Sequence, residues 1–164
     1  MNEDYPLKVL LELRADAVDE AERELASEVG RLNELIERRE ELGARRQRLI
    51  DKRHAREETF RQRRRDESVT GAEFAQIRLF LKGLDIDIEQ LRVEQAHVDE
   101  RVEGQTSVVD QRRDELAEAK AELEVVQRHR ADWQADRERL KKRRQADAMD
   151  ELGTMVWRGG EDGT

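Results

Sequence analysis

The sequence predicts an all-α protein, a long two-helix antiparallel coiled-coil hairpin, and three observations lead there. Of its 164 residues, 44% are Asp, Glu, Lys or Arg and only 36% are hydrophobic. An ordinary globular domain holds roughly 45–50% apolar residues, so a layered core is excluded. A single proline, with abundant Ala, Leu, Glu, Arg and Gln, favours long helix over the disorder that such polarity otherwise brings. The apolar minority also recurs at alternating steps of three and four, the period of a supercoiled seam.

The first helix is expected over about residues 7–66. Pro6 is placed to open it, because a proline at the first turn forfeits no helical hydrogen bond. Its seam runs through Leu11, Val18, Ala21, Leu25, Leu32, Leu35, Leu42, Leu49 and Phe60, interrupted by Arg14, Glu28, Arg39, Arg46, Arg53 and Arg56. Long arginine stems cover a seam while their heads stay in water.

The turn is expected at about 66–70. Thr70 and Glu73 form a T-x-x-E capping box just before Phe74, a helix-start signature. The second helix is expected over about 71–150. Its seam reads Phe74, Ile77, Leu81, Leu84, Ile88, Leu91, Gln95, Val98, Val102, Gln105, Val109, Arg112, Leu116, Ala119, Leu123, Val126, Arg130, Trp133, Arg137 and Leu140, of which fifteen are apolar. Gly153 and Gly159-Gly160 punctuate its end, leaving a tail over 151–164. Gly30 and Gly104 are expected at one level of the hairpin, beside Gln105, Thr106 and Ser107, where each glycine weakens its helix.

A short connection makes the helices antiparallel neighbours, with facing residue numbers summing to about 136 when the seams are matched. Charge supports that register. The net −8 is blocked as −7 over residues 1–44, +7 over 45–65, −9 over 66–125, +5 over 126–144 and −4 over 145–164. Antiparallel pairing brings opposite blocks together, and a parallel homodimer would not. The chain is read as a monomer when free. The same register leaves everything past roughly residue 132 without a partner from the first helix. That overhang holds Trp133, Leu140, Met149, Leu152, Met155, Val156 and Trp157, and exposed aromatics on a charged rod call for an occupant.

Each conspicuous feature has two readings. Trp133 occupies a seam position, so terminal packing competes with partner contact. Trp157, past the expected helix end, is either a folded-back cap or a partner anchor, since large aromatics are common hot spots. Lys141-Lys142-Arg143-Arg144 is either a solvated face or a docking patch. The Arg61-Gln62-Arg63-Arg64-Arg65 cluster is better read as cations soothing a helix C-terminus than as a phosphate-binding tip. His54, His97 and His129 read as solvated helix positions. With no nucleophile–base pair, phosphate loop, metal-ligand spacing or concave pocket in view, no enzyme activity and no cofactor are expected. No stretch approaches the ~20 apolar residues of a membrane span, and the acidic N-terminus does not resemble a secretory signal. The absence of cysteine fits the cytoplasm.

Certain residues carry a resemblance. The string Tyr5-Pro6-Leu7, Leu11, Leu13, Arg14, Asp16, Val18, Asp19, Ala21 and Glu22 is followed, near the other end, by Asp132-Trp133 and Asp150-Glu151-Leu152-Gly153. This pattern resembles the YscO family of type III secretion, the virulence-system relatives of flagellar FliJ. The resemblance implies a stalk, similar to the gamma stalk of rotary ATPases, whose terminal end docks into the pore of the hexameric export ATPase. It also implies contact with the cytoplasmic ring of the export gate and, in some members, with secretion chaperones. By that likeness the ATPase-facing residues would be Tyr5, Leu7, Arg14, Trp133, Arg137, Leu140, Lys141, Lys142, Arg143, Arg144 and Trp157. Two other classes stay open: a self-associating coiled-coil scaffold, and a hairpin binding nucleic acid through its basic tip.

Overall fold

A computed structural model describes residues 5–161, with side chains through Trp157. Two helices make up nearly all of it, α1 (Lys8–Arg65) and α2 (Gly71–Glu161), packed against each other as a helical hairpin. The second helix does not stop near residue 150. It continues through Gly153 and takes the stretch read as a tail into regular helix up to Glu161. One glycine costs a helix about 1 kcal/mol without breaking it. Thr154 meanwhile returns its hydroxyl to the Asp150 and Glu151 carbonyls, and no proline intervenes.

The chain divides into two compact units, Arg23–Asp114 and Met1–Glu22 with Glu115–Thr164. In the first, α1 ends and α2 begins. Ser68 N–H donates to the Arg63 carbonyl at 3.1 Å and Glu67 N–H to the Arg64 carbonyl at 3.3 Å. This is a Schellman ending, and its left-handed position is filled by Glu67 at φ 54° where glycine would be unstrained. The capping box then starts α2. Glu73 N–H donates to Thr70 Oγ1 at 3.3 Å, and Glu73 Oε2 accepts from Thr70 N–H at 2.9 Å. Arg63 of α1 reaches across to Glu73 Oε1 at 3.0 Å and so ties the two helix ends together.

The seam of this unit is the expected one. Ile77, Leu84, Leu91, Val98 and Val109 of α2 are buried, and Leu42 supplies the fully buried residue of α1. Leu42, Leu91 and Val98 form one cluster, with Leu49 and Val102 packed against it. Fully burying a Leu or Val contributes roughly 1.5–3 kcal/mol, so a single line of such residues carries the unit. Of the polar interruptions in the α1 seam, Glu28, Arg39, Arg46 and Arg53 are half-buried, and only Arg56 is exposed. Glu28 is held by Gln105, whose Nε2 donates to its carboxylate at 2.6 Å and to its carbonyl at 3.1 Å. That bond, chiefly, keeps the Glu28 carboxyl below its ordinary pKa. Gly30 and Gly104 are both helical, with open space where a Cβ would stand.

Ion pairs report the register in each unit separately. Glu24 meets Arg112, Arg53 meets Asp85 and Arg63 meets Glu73 in the first; Arg14 meets Glu122 in the second. Each of these pairs sums to within two of about 136, as seam matching requires, while Arg38–Glu94 at 132 and Glu22–Lys120 at 142 reach about a turn to either side. Exposed pairs contribute ~1 kcal/mol at most, so their weight lies in specifying register.

Candidate functional site

One residue of the terminal unit packs across α2 from outside either helix. Tyr5 lies immediately before the first turn of α1, where its carbonyl accepts from Lys8 N–H at 3.1 Å. That leaves its side chain free to lie across α2, where it is 8% exposed. Its hydroxyl is 2.8 Å from His129 Nδ1 and 3.4 Å from the Val126 carbonyl oxygen. Its ring meets Trp133 edge-on at 5.5 Å and tilts against His129 at 5.8 Å. Two readings change accordingly. His129 is a hydrogen-bond partner and not simply a solvated helix position. Trp133 is not left bare by the register, because Tyr5, just N-terminal to α1, covers one of its edges. On its other side the Arg137 guanidinium lies 4.9 Å from the indole ring centroid, within cation–π range.

The remaining expected residues fall into two groups. Arg14 is engaged in the Glu122 ion pair, and Leu7 is 36% exposed at the start of α1. From Glu138 to Trp157 every residue of α2 is exposed. Leu140 is 52% exposed and Trp157 69%; Met149, Leu152, Met155 and Val156 are also exposed. Met149, Leu152 and Val156 recur at steps of three and four, so they share one face of α2 with no α1 segment against it. Trp157 stands within α2, not past its end.

Lys141, Lys142, Arg143 and Arg144 are exposed, and none forms an ion pair among the described residues. This contrasts with the Arg61–Arg65 cluster, where Arg61 is held by Glu57 at 3.0 Å and Arg63 by Glu73 at 3.0 Å. With Arg63, Arg64 and Arg65 in the last turn of α1, that cluster has the work of a helix C-terminus. The Tyr5–His129 contact escaped sequence reasoning. A residue just before the first turn carries no helical period, although its pairing level with residue 129 was within reach of the register.

The end of the terminal unit thus offers two kinds of contact on one unpaired helix: an unneutralised cationic turn, then an apolar face. No described helix is long and apolar enough to cross a membrane.

Comparison with known proteins gives three results. A family model described as YscO-like protein matches residues 2–159. A solved structure from Chlamydia trachomatis, described as a YscO homolog, superposes with a TM-score of 0.75 at 19% identity, covering 98% of both chains, which shows a shared fold. No curated protein matches the sequence.

Proposed function

The chain belongs to the YscO-like family of type III secretion-associated proteins, and on that premise we propose that it is the central stalk of a secretion export apparatus. In this reading the terminal unit seats in the pore of the hexameric export ATPase at the cytoplasmic face of the apparatus. The chain also touches the cytoplasmic ring of the export gate and binds escort chaperones. It is a monomer when free, needs no cofactor and performs no chemistry. It acts mechanically: a single asymmetric chain in a ring meets each ATPase subunit differently, and so couples ATP turnover to the gate.

The observation that supports this is the unpaired end of α2. A helix that keeps Leu140, Met149, Leu152, Val156 and Trp157 in water gains by burying them in a partner. Beside them, Lys141 to Arg144 form no ion pair among the described residues and would complement acidic pore loops. Tyr5 and Arg137 fix Trp133 from two sides, and Leu7 and Arg14 line the start of α1 in the same unit.

The test is co-purification with the candidate ATPase together with ATPase stimulation. Full-length chain should bind and stimulate. A chain lacking residues 133–164 should do neither. Reversing Lys141 to Arg144 to glutamate, or Trp157→Ala, should each weaken binding by about tenfold or more, as hot-spot losses do. Complexes and stimulation untouched by the deletion would show that another part of the chain meets the ATPase. A stable dimer formed without any ATPase would favour the scaffold reading instead.

A further inference from the structure

The basic block 45–65 is expected to be neutralised across the hairpin, and the structure shows that only part of it is. Arg53 is taken by Asp85 and Glu57, Arg61 by Glu57 and Glu58, and Arg63 by Glu73. Arg45, Arg48, Lys52 and Arg56 form no ion pair among the described residues, and all four are exposed. They follow one another at steps of three, four and four, so they share one face of α1 over about 16 Å. The α1 carboxylates adjacent in sequence have other partners: Glu41 faces Arg38 at 3.5 Å, Asp51 accepts from Gln47 at 2.9 Å, and Glu57 serves Arg53 and Arg61.

At the end of this strip stands an aromatic ring. Phe80 of α2 is 41% exposed, with Lys52 Nζ 5.5 Å and the Arg56 guanidinium 5.9 Å from its centroid. Lys52, Ala55, Arg56, Thr59 and Phe80 line a shallow open groove. Arg56 is the one exposed polar interruption of the α1 seam, and its guanidinium lies over this ring of α2.

We propose that this strip and groove are a second docking surface, for an acidic polypeptide segment that carries a large apolar side chain. The carboxylates would pair with Arg45, Arg48, Lys52 and Arg56, and the apolar side chain would cover Phe80. The surface lies in the Arg23–Asp114 unit, so it is independent of the ATPase reading of the terminal unit. Several features favour a polypeptide over a polyanion such as nucleic acid. The cationic row is short, it carries a single aromatic seat, and it is bordered by Asp51 and Glu57 on a chain of net charge −8. An exposed aromatic among arginines is the composition of a protein-interface hot spot.

The test uses the full chain and a short Glu-rich peptide with one central Phe, labelled for anisotropy. Binding is expected to weaken about tenfold in the Lys52→Glu/Arg56→Glu double variant, and about tenfold in Phe80→Ala. Replacing the peptide Phe by Ala should cost a similar factor on the wild-type chain and almost nothing on Phe80→Ala. That non-additivity marks direct contact between the two rings. Phe80→Leu, which keeps an apolar seat, should lose less, and circular dichroism should show every variant as helical as wild type, so that the losses report binding. Additive losses at Phe80 and the peptide ring would overturn the proposal. So would tighter binding of a short oligothymidylate or of phosphatidylglycerol vesicles than of the peptide.

Discussion

In the Arg23–Asp114 unit two helix ends satisfy each other: a Schellman turn closes α1, a capping box opens α2, and Arg63 bonds to Glu73 between them. In the terminal unit Tyr5 clasps α2 from just ahead of α1, Val18 and Val126 are buried, Arg14 pairs with Glu122, and α2 then runs on exposed from Glu138 to Trp157. The apolar residues differ in the same way. Leu42, Leu91, Val98 and Val109 are buried in the one; the other buries Val18 and Val126 but leaves Leu140, Leu152 and Val156 facing water. The same amino-acid types therefore hold the two helices together along the seam and stay exposed at the end of α2. Covering an apolar residue twice is impossible, so the division separates stability from binding.

Substitutions can break that separation if it is wrong. Leu42→Ala should be the most damaging single change. It removes a side chain that is 1% exposed from the Leu42–Leu91–Val98 cluster, and comparable truncations cost about 2–5 kcal/mol. Leu140→Ala deletes the same atoms from a surface site and should stay within about 0.5 kcal/mol of wild type, while weakening the ATPase complex. Denaturant titration beside a pull-down reads both; equal stability losses would refute the contrast. Tyr5→Ala should fall between them, costing about 2 kcal/mol through lost ring packing and hydrogen bonding. Its effect should be local: faster amide exchange at Lys8 to Leu11 and around His129, with the Leu42 cluster unchanged.

These contrasts also show what was legible in the sequence. The seam from Ile77 to Val126 could be read residue by residue, because a period sustained over many turns averages out single exceptions. The register near 136 followed from matching two such seams. Three local features were harder to see. Glu67 takes a left-handed conformation that favours glycine, so its type gave no signal. Gly153 signalled a stop that the surrounding helix formers override. The unpaired status of Arg45, Arg48, Lys52 and Arg56 depends on which individual side chains meet, whereas block charges predict only the average. Among the expected site residues, the exposed set from Leu140 to Trp157 followed from the overhang. Tyr5 did not: the structure makes it a buried clasp, which gives it a positioning role beside Trp133.

A smaller gain is expected at the turn. Glu67→Gly replaces a side chain held at φ 54° by the residue that suits this position, and should stabilise the hairpin by about 1 kcal/mol. Thermal melts of the two proteins would show it. A loss would mean that the Glu67 side chain contributes more than its backbone strain removes.

The subtlest test concerns pH, and it probes whether the turn is closed as tightly as its hydrogen bonds imply. The Thr70 backbone N–H, then Arg63 and the Thr70 hydroxyl, lower the Glu73 carboxyl from 4.5 to about 2. A carboxyl whose folded pKa is depressed contributes stability that is fully present above its unfolded value. That contribution is lost as pH falls through the folded one. Glu73→Gln keeps the shape of the side chain but does not titrate. The stability difference between wild type and Glu73→Gln should therefore be constant above about pH 5 and shrink steadily toward pH 2. Working with the difference cancels the many other carboxylates of this acidic chain. A gap that does not change with pH would mean that Glu73 caps α2 through its shape alone, and that the charged link to Arg63 adds nothing to the closure of the turn.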